Sequence, residues 1–173
     1  MTQHSWTAGL GENDVFLTRT LDAPRELVWQ IFTQADHLAR WWGPQGCSTR
    51  VLHLDLRPGG LFHYAMTAPN GTSMWGKFVY REVVAPESLA FVLSFADSRA
   101  NTVRAPFSAT WPLEVLSQNL FTEAEGKTTV TMAAAPFNAT EEERTSFAAG
   151  RESLKQGTNG SFEQLIAYLK SLS

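Results

Sequence analysis

From Val15 onward the chain switches between two rhythms of apolar and polar positions. Val15 to Leu21 is rich in β-forming residues and predicts a strand. Asp22-Ala-Pro24 punctuates it: Asp22 can cap a helix and Pro24 suits the first turn. Leu27, Val28, Ile31 and Phe32 recur at helical spacing, predicting a short amphipathic helix over 24–33. Asp36 can cap a second short helix, which Gly43 and Pro44 stop just after Trp41 and Trp42. From there to about residue 136 the period is two. Leu52, Leu54 and Leu56 alternate with Val51, His53 and Asp55; Phe62, Tyr64 and Met66 alternate with Leu61, His63 and Ala65. Met74, Gly76, Phe78 and Tyr80 form the next alternation, and Leu89, Phe91, Leu93 and Phe95 another. Residues 97–106 read as an open polar loop. Two more strands, from about Trp111 to Glu123 and from Thr128 to Ala134, flank the hairpin signal Glu125-Gly126. The rest is helical from near Thr140, with one apolar stripe through Phe162, Leu165, Ile166, Leu169 and Leu172. Gly157 and Gly160 predict a break or kink within that stretch.

This order predicts an α+β helix-grip fold. A curved antiparallel sheet of about six strands wraps a long C-terminal helix, and two short helices follow the first strand. Residues 1–12 read as a flexible N-terminal arm and 13–173 as one domain.

Charge fixes which face of the sheet is inner. Lys77 and Arg81 belong in water, so Met74, Phe78 and Tyr80 point inward. Leu52/Leu54/Leu56 and Phe62/Tyr64/Met66 can share that face only if positions paired across the hairpin sum to an even number, for example 56 opposite 62. That pairing needs a three-residue connection, Pro58-Gly59-Gly60, or an equivalent bulge.

Composition narrows the classes. Eleven Phe, six Trp and three Tyr in 173 residues supply far too much apolar surface for a disordered chain. A net charge of −3 disfavours a phosphate-backbone binder, so no nucleic-acid partner is expected. One cysteine, Cys47, cannot build a disulfide framework. No run approaches a membrane span, and the first fifteen residues lack the basic start and apolar stretch of a signal peptide. A cytoplasmic protein with no membrane partner is expected; a homodimer stays open.

Candidate chemistry is sparse. With 56 opposite 62, His53, Asp55 and His63 fall together on the outer face. Two imidazoles and a carboxylate suggest a metal, but an outer face offers no enclosed shell around it, so a solvated His–Asp pair is the expectation and no metal site is assigned. No His, Asp or Glu is placed confidently on the inner face, so no catalytic residue and no cofactor are assigned. Glu114 follows Pro112 and reads as a strand-end carboxylate; Cys47 has no base beside it. What the inner face does offer is bulk. Trp42, Phe62, Tyr64, Met74, Phe78, Tyr80 and Phe91 are the candidate ligand-binding residues, lining one concave surface.

Several short motifs in fixed order then become recognisable: Asp22-Ala-Pro-Arg25 with Val28-Trp29, Trp41-Trp42-Gly-Pro44, Asp55-Leu-Arg-Pro-Gly-Gly60, MWGKFVYREVVAPESL (74–89), TWPLEVL (110–116) and QGTNGSFEQLIAYL (156–169). Together they resemble the SRPBCC (START-like) superfamily and, within it, bacterial homologues of the C-terminal domain of the heat-shock-protein-90 ATPase activator, from about Asp14 to Leu172. The resemblance implies a helix-grip fold with a cavity for a hydrophobic small molecule. It does not fix an activity, because the superfamily holds carriers, receptors, cyclases and chaperone activators. Asn119 stands where the resemblance implies an apolar strand residue; pointing inward it would be a polar handle in the pocket, and otherwise it marks a bulge.

The reading adopted is a domain that binds a hydrophobic or aromatic small molecule. The alternatives are a cyclase- or hydrolase-type enzyme using Tyr64, Tyr80 or Glu114 in the same cavity, and a chaperone-interacting protein. The eukaryotic relative works with a second, N-terminal domain that has no counterpart here, so a chaperone partner is not expected.

Overall fold

The structure is a computed structural model and describes residues 14–172; the arm expected over residues 1–12 lies outside the described residues. Seven strands form one open antiparallel sheet: β1 (Val15–Leu21), β2 (Ser48–Leu54), β3 (Leu61–Thr67), β4 (Ser73–Val84), β5 (Ser88–Ala96), β6 (Val115–Ala124) and β7 (Lys127–Pro136). Their spatial order is β1-β7-β6-β5-β4-β3-β2, so strands consecutive in sequence after β2 pair as neighbours. β1 closes onto β7 and leaves β2 at the far edge. The chain crosses between these two edges through α1 (Arg25–Thr33) and α2 (Ala35–Trp41). Two further helices, α3 (Glu141–Ala149) and α4 (Arg151–Ser171), follow β7. The helix-grip expectation holds, with one strand more than the six anticipated.

The inner face carries the core. Phe62, Tyr64, Phe78, Tyr80, Leu89, Phe91, Phe121 and Val130 are buried with Val28, Ile31, Phe32, Leu38 and Trp41 from the two short helices, and with Phe162 and Leu165 from α4. Polar bonds lock the helices over it. The Trp41 indole donates to the Ile31 carbonyl at 2.9 Å, and His37 Nδ1 meets the Tyr168 hydroxyl at 2.7 Å. Gln164 Nε2 donates to the Gly43 carbonyl at 2.7 Å. Arg19 bonds Asn159 at 3.1 Å and pairs with Glu163 at 2.7 Å, tying β1 to α4.

Three local expectations meet the structure here. Of the two ways offered to reconcile the β2–β3 parity, a three-residue turn or an equivalent bulge, the chain takes the bulge. Val51 lies opposite Tyr64 and Leu54 opposite Phe62, with the register shifting between Val51 and His53. The extra residue flips the alternation midway, so Val51 and Leu54 pack on the core while Leu52 is 39% exposed. Second, the helical tail breaks at Gly150, not at Gly157 or Gly160; α4 runs straight through both. Third, His63 pairs with His53 rather than with Asp55, and it is not solvated. The 97–101 loop folds over it: His63 is 6% exposed, with Nε2 at 3.0 Å from the Asp97 carbonyl. Lys77, beside His63 in the register, donates to the Ala100 carbonyl at 2.9 Å. The Asp97 carboxylate accepts from the backbone N–H groups of Arg99 and Asn101, both at 2.9 Å, so this loop is ordered. Those bonds, the Asn101 side chain first, hold the Asp97 carboxyl below its usual value.

Candidate functional site

Between the inner face and α4 lies a cavity of about 980 Å³. Its existence follows from the residues α4 presents to it. The C-terminal half of the helix carries Phe162, Leu165, Ile166 and Leu169 and packs onto the core. The N-terminal half offers Ser153, Gly157, Gly160 and Ser161, at spacings of three and four that keep them on one face. A Cβ built on Gly157 would meet nothing within 4 Å. Beside Leu154, Gln156 and Thr158, which also line the cavity, these four positions carry little bulk, so this half of the helix does not close onto the sheet and the gap remains. The glycines that predicted a kink therefore supply room.

The sheet supplies the floor: Tyr64 and Met66 from β3, Gly76 and Phe78 from β4, Leu89, Phe91, Leu93 and Phe95 from β5. Phe78 and Phe91 stack with centroids 3.7 Å apart and planes 5° apart. Ser117 and Asn119 of β6 and Met132 and Ala134 of β7 continue that wall. Trp41 and Trp42 close one end at an edge-to-face angle of 89°. The cavity is not sealed. Pro44, Gln45, Phe107, Ser153, Gln156 and Gly157 line it while remaining exposed, which marks its mouth. Phe107 is 65% exposed and leans on Phe95 and Trp111, with centroids 5.8 and 5.6 Å away.

Among the described residues, the lining holds no Asp, Glu, His, Lys, Arg or Cys. Its ionisable group is the Tyr64 phenol. Burial pushes that phenol well above its ordinary value, and the nearby Trp42 indole pulls part of the rise back. The indole N–H does not reach hydrogen-bond geometry, however, and Trp42 Nε1 stays buried without a partner. Tyr80 is likewise pushed up by burial, with its hydroxyl sealed and unpartnered. Both phenols are neutral at physiological pH: they can donate a proton to a hydrogen bond but do not serve as bases.

Of the eight candidate residues, Trp42, Tyr64, Phe78, Phe91 and Asn119 line the cavity. Phe62 and Tyr80 lie deeper, inside the packed core, and Met74 packs against the core from its partly buried edge. Asn119 points inward: 4% exposed, it donates from Nδ2 to the Leu89 carbonyl and to Ser117 Oγ, both at 3.3 Å. Glu114 is not among the lining residues. Among the described residues, no three His, Cys, Asp or Glu side chains converge as a metal site would need. Reading the sequence missed Phe107, just past the polar loop read over 97–106, and Trp111, which it placed at the start of a strand that in fact begins at Val115. Ser117 was legible, since it shares a strand face with Asn119.

Fold and cavity together define a helix-grip protein with an apolar chamber, and comparison with known proteins places it further. Residues 22–170 match the family described as activator of Hsp90 ATPase homolog 1-like protein. The chain belongs to that family. Protein Ms6760 from Mycobacterium smegmatis is 26% identical, with a TM-score of 0.73 and 91% of each chain covered. A protein from Arthrobacter aurescens is also 26% identical, with a TM-score of 0.76 over 90% of this chain and 85% of that one. Protein NE0264 from Nitrosomonas europaea, 23% identical with a TM-score of 0.73 over 95% of this chain and 99% of that one, shares the fold. No curated protein sequence matches the chain. No helix among the described residues is long and apolar enough to cross a membrane.

Proposed function

We propose that this protein binds an uncharged, hydrophobic or aromatic small molecule between its sheet and α4. The observation that carries this reading is a cavity of about 980 Å³ whose lining contains no charged side chain. That volume is in the range of drug-sized sites, and an aromatic floor with a few polar groups is the usual make-up of such sites. Stacking surfaces reward flat rings. Serine, asparagine and glutamine side chains fix orientation without demanding charge.

A cyclase or hydrolase working in the same cavity is less well supported. General acid–base chemistry wants a group poised near neutrality, and the one ionisable group of the lining is a phenol shifted away from it. The chaperone role in the family's name would use an outer surface; what favours the chamber is its size and neutrality.

The neutral fluorophore 1-aminoanthracene tests the proposal. The wild-type protein should bind it saturably at one site, with blue-shifted emission. Gly157→Trp combined with Met132→Trp adds bulk to the open volume from the helix side and from the sheet side. That double variant should keep its far-ultraviolet circular dichroism and lose binding at least about tenfold. Absence of saturable binding to the wild type, or equal binding to both proteins, overturns the proposal.

A further inference from the structure

The cavity has a polar point in its depth whose chemistry can be read. Asn119 sits on β6 opposite Leu89 and Met132, away from the exposed mouth, and is 4% exposed. Its Nδ2 faces the Leu89 carbonyl, which can only accept. That contact fixes which end of the carboxamide is nitrogen. The same nitrogen reaches Ser117 Oγ, also at 3.3 Å. Both bonds are long for N–H···O, and among the described residues no donor reaches Oδ1. Nor is Oδ1 among the sealed, unpartnered buried atoms, as Trp42 Nε1, Tyr80 Oη and Ser88 Oγ are. On a side chain this buried, an acceptor that has no partner yet keeps accessible surface opens onto the cavity that the residue lines.

Polar groups buried in proteins are nearly always satisfied, and an open carboxamide oxygen in an apolar chamber is costly unless something donates to it. We infer that the ligand is a neutral polycyclic aromatic molecule bearing a hydroxyl or N–H group, which it donates to Asn119 Oδ1 while its rings lie along Phe78 and Phe91. A ligand with only acceptors, such as an ether or a ketone, would set oxygen against oxygen there. An anion would do so more severely, with no cation in the lining to offset it. This inference rests on the proposed function and refines it from any apolar guest to a hydrogen-bond donor.

The test compares four probes of one ring system: pyrene, 1-hydroxypyrene, 1-methoxypyrene and pyrene-1-carboxylate. Dissociation constants are measured by fluorescence titration against the wild type and Asn119→Leu. For the wild type, 1-hydroxypyrene should bind about tenfold tighter than pyrene or 1-methoxypyrene, the size of one well-made hydrogen bond. Pyrene-1-carboxylate should bind weakest. In Asn119→Leu the hydroxyl preference, read as the ratio of the pyrene and 1-hydroxypyrene constants, should fall to about one. If hydroxypyrene and methoxypyrene bind the wild type equally, the inference is overturned while the chamber keeps its function. The wild-type comparison needs no variant to fold. A preference that survives Asn119→Leu also overturns it, by assigning the donor's partner elsewhere. If none of the four binds, the proposed function fails first and this inference fails with it.

Discussion

Phe78 shows how closely the core and the cavity share residues. Its ring stacks on Phe91 and meets Phe62, Tyr64 and Trp42 edge-on, while one side faces the chamber. Phe78→Asp would set a carboxylate among these four aromatic rings, and the desolvation cost exceeds what a domain of this size can spare. The expected result is loss of the cooperative urea transition. Lys77→Glu, one position along, replaces the donor to the Ala100 carbonyl and should cost only about 1 kcal/mol, read from the same transition. Two glycines make a sharper pair. Gly157 sits in a continuous helix with free space around its Cβ position, so Gly157→Ala should stabilise the protein by about 1 kcal/mol. Gly76 lies under the Tyr64 hydroxyl and ring, so Gly76→Ala should destabilise it by about 2 kcal/mol as that ring is pushed aside. Thermal melts of the two variants should shift in opposite directions. The sequence marks both as glycines in regular elements. Only the packing shows that one faces open space and the other the ring of a neighbour.

At the level of elements, α3 is the most tightly anchored start in the fold. The Thr140 side chain accepts from the Glu143 backbone N–H at 3.1 Å, and Glu143 Oε1 accepts from the Thr140 N–H at 2.9 Å, forming a capping box. The second carboxylate oxygen of Glu143 is bound by Arg104 from the long loop before β6. These bonds, the Thr140 backbone first and Arg104 next, hold the Glu143 carboxyl below its usual value. A group whose folded value is depressed adds stability above the unfolded value and loses it as pH falls through the folded one. Glu143→Gln keeps the geometry of the box but cannot titrate. It should be less stable than wild type at pH 7 by about 1 kcal/mol or less, and urea midpoints should show the gap closing toward pH 3. Element by element, strands and their inward faces were legible because period two survives wherever one face is wet. The bulge in β2 was legible only as a parity conflict between two leucine and aromatic sets, with its position, at Leu52, undetermined. The break at Gly150 was hidden for a related reason. Gly150, Gly157 and Gly160 look alike in a helical stretch, and the packing of Trp111 against Gly150 is a long-range fact.

On the scale of the whole molecule, the chamber is the residue of two mismatched surfaces: a sheet with a large aromatic floor, and a helix whose facing half is nearly bare. That mismatch leaves apolar surface uncovered, so a neutral guest that covers it should stabilise the fold by mass action. With 1-hydroxypyrene at about a hundred times its dissociation constant, the linkage is worth about 2.7 kcal/mol, a rise in Tm of about 5–10 °C for a chain of this length. The Gly157→Trp/Met132→Trp variant should show no such rise, because the space the guest needs is already filled. Charge gives an independent check. The molecule carries a net −3, yet none of the charge lies in the lining. Recognition of a neutral guest by a neutral wall should therefore ignore ionic strength, with the dissociation constant changing less than about twofold between 50 and 500 mM salt. A steep salt dependence in that titration would mean that an ionic contact outside the chamber holds the ligand, and that the uncovered aromatic floor is not what it recognises.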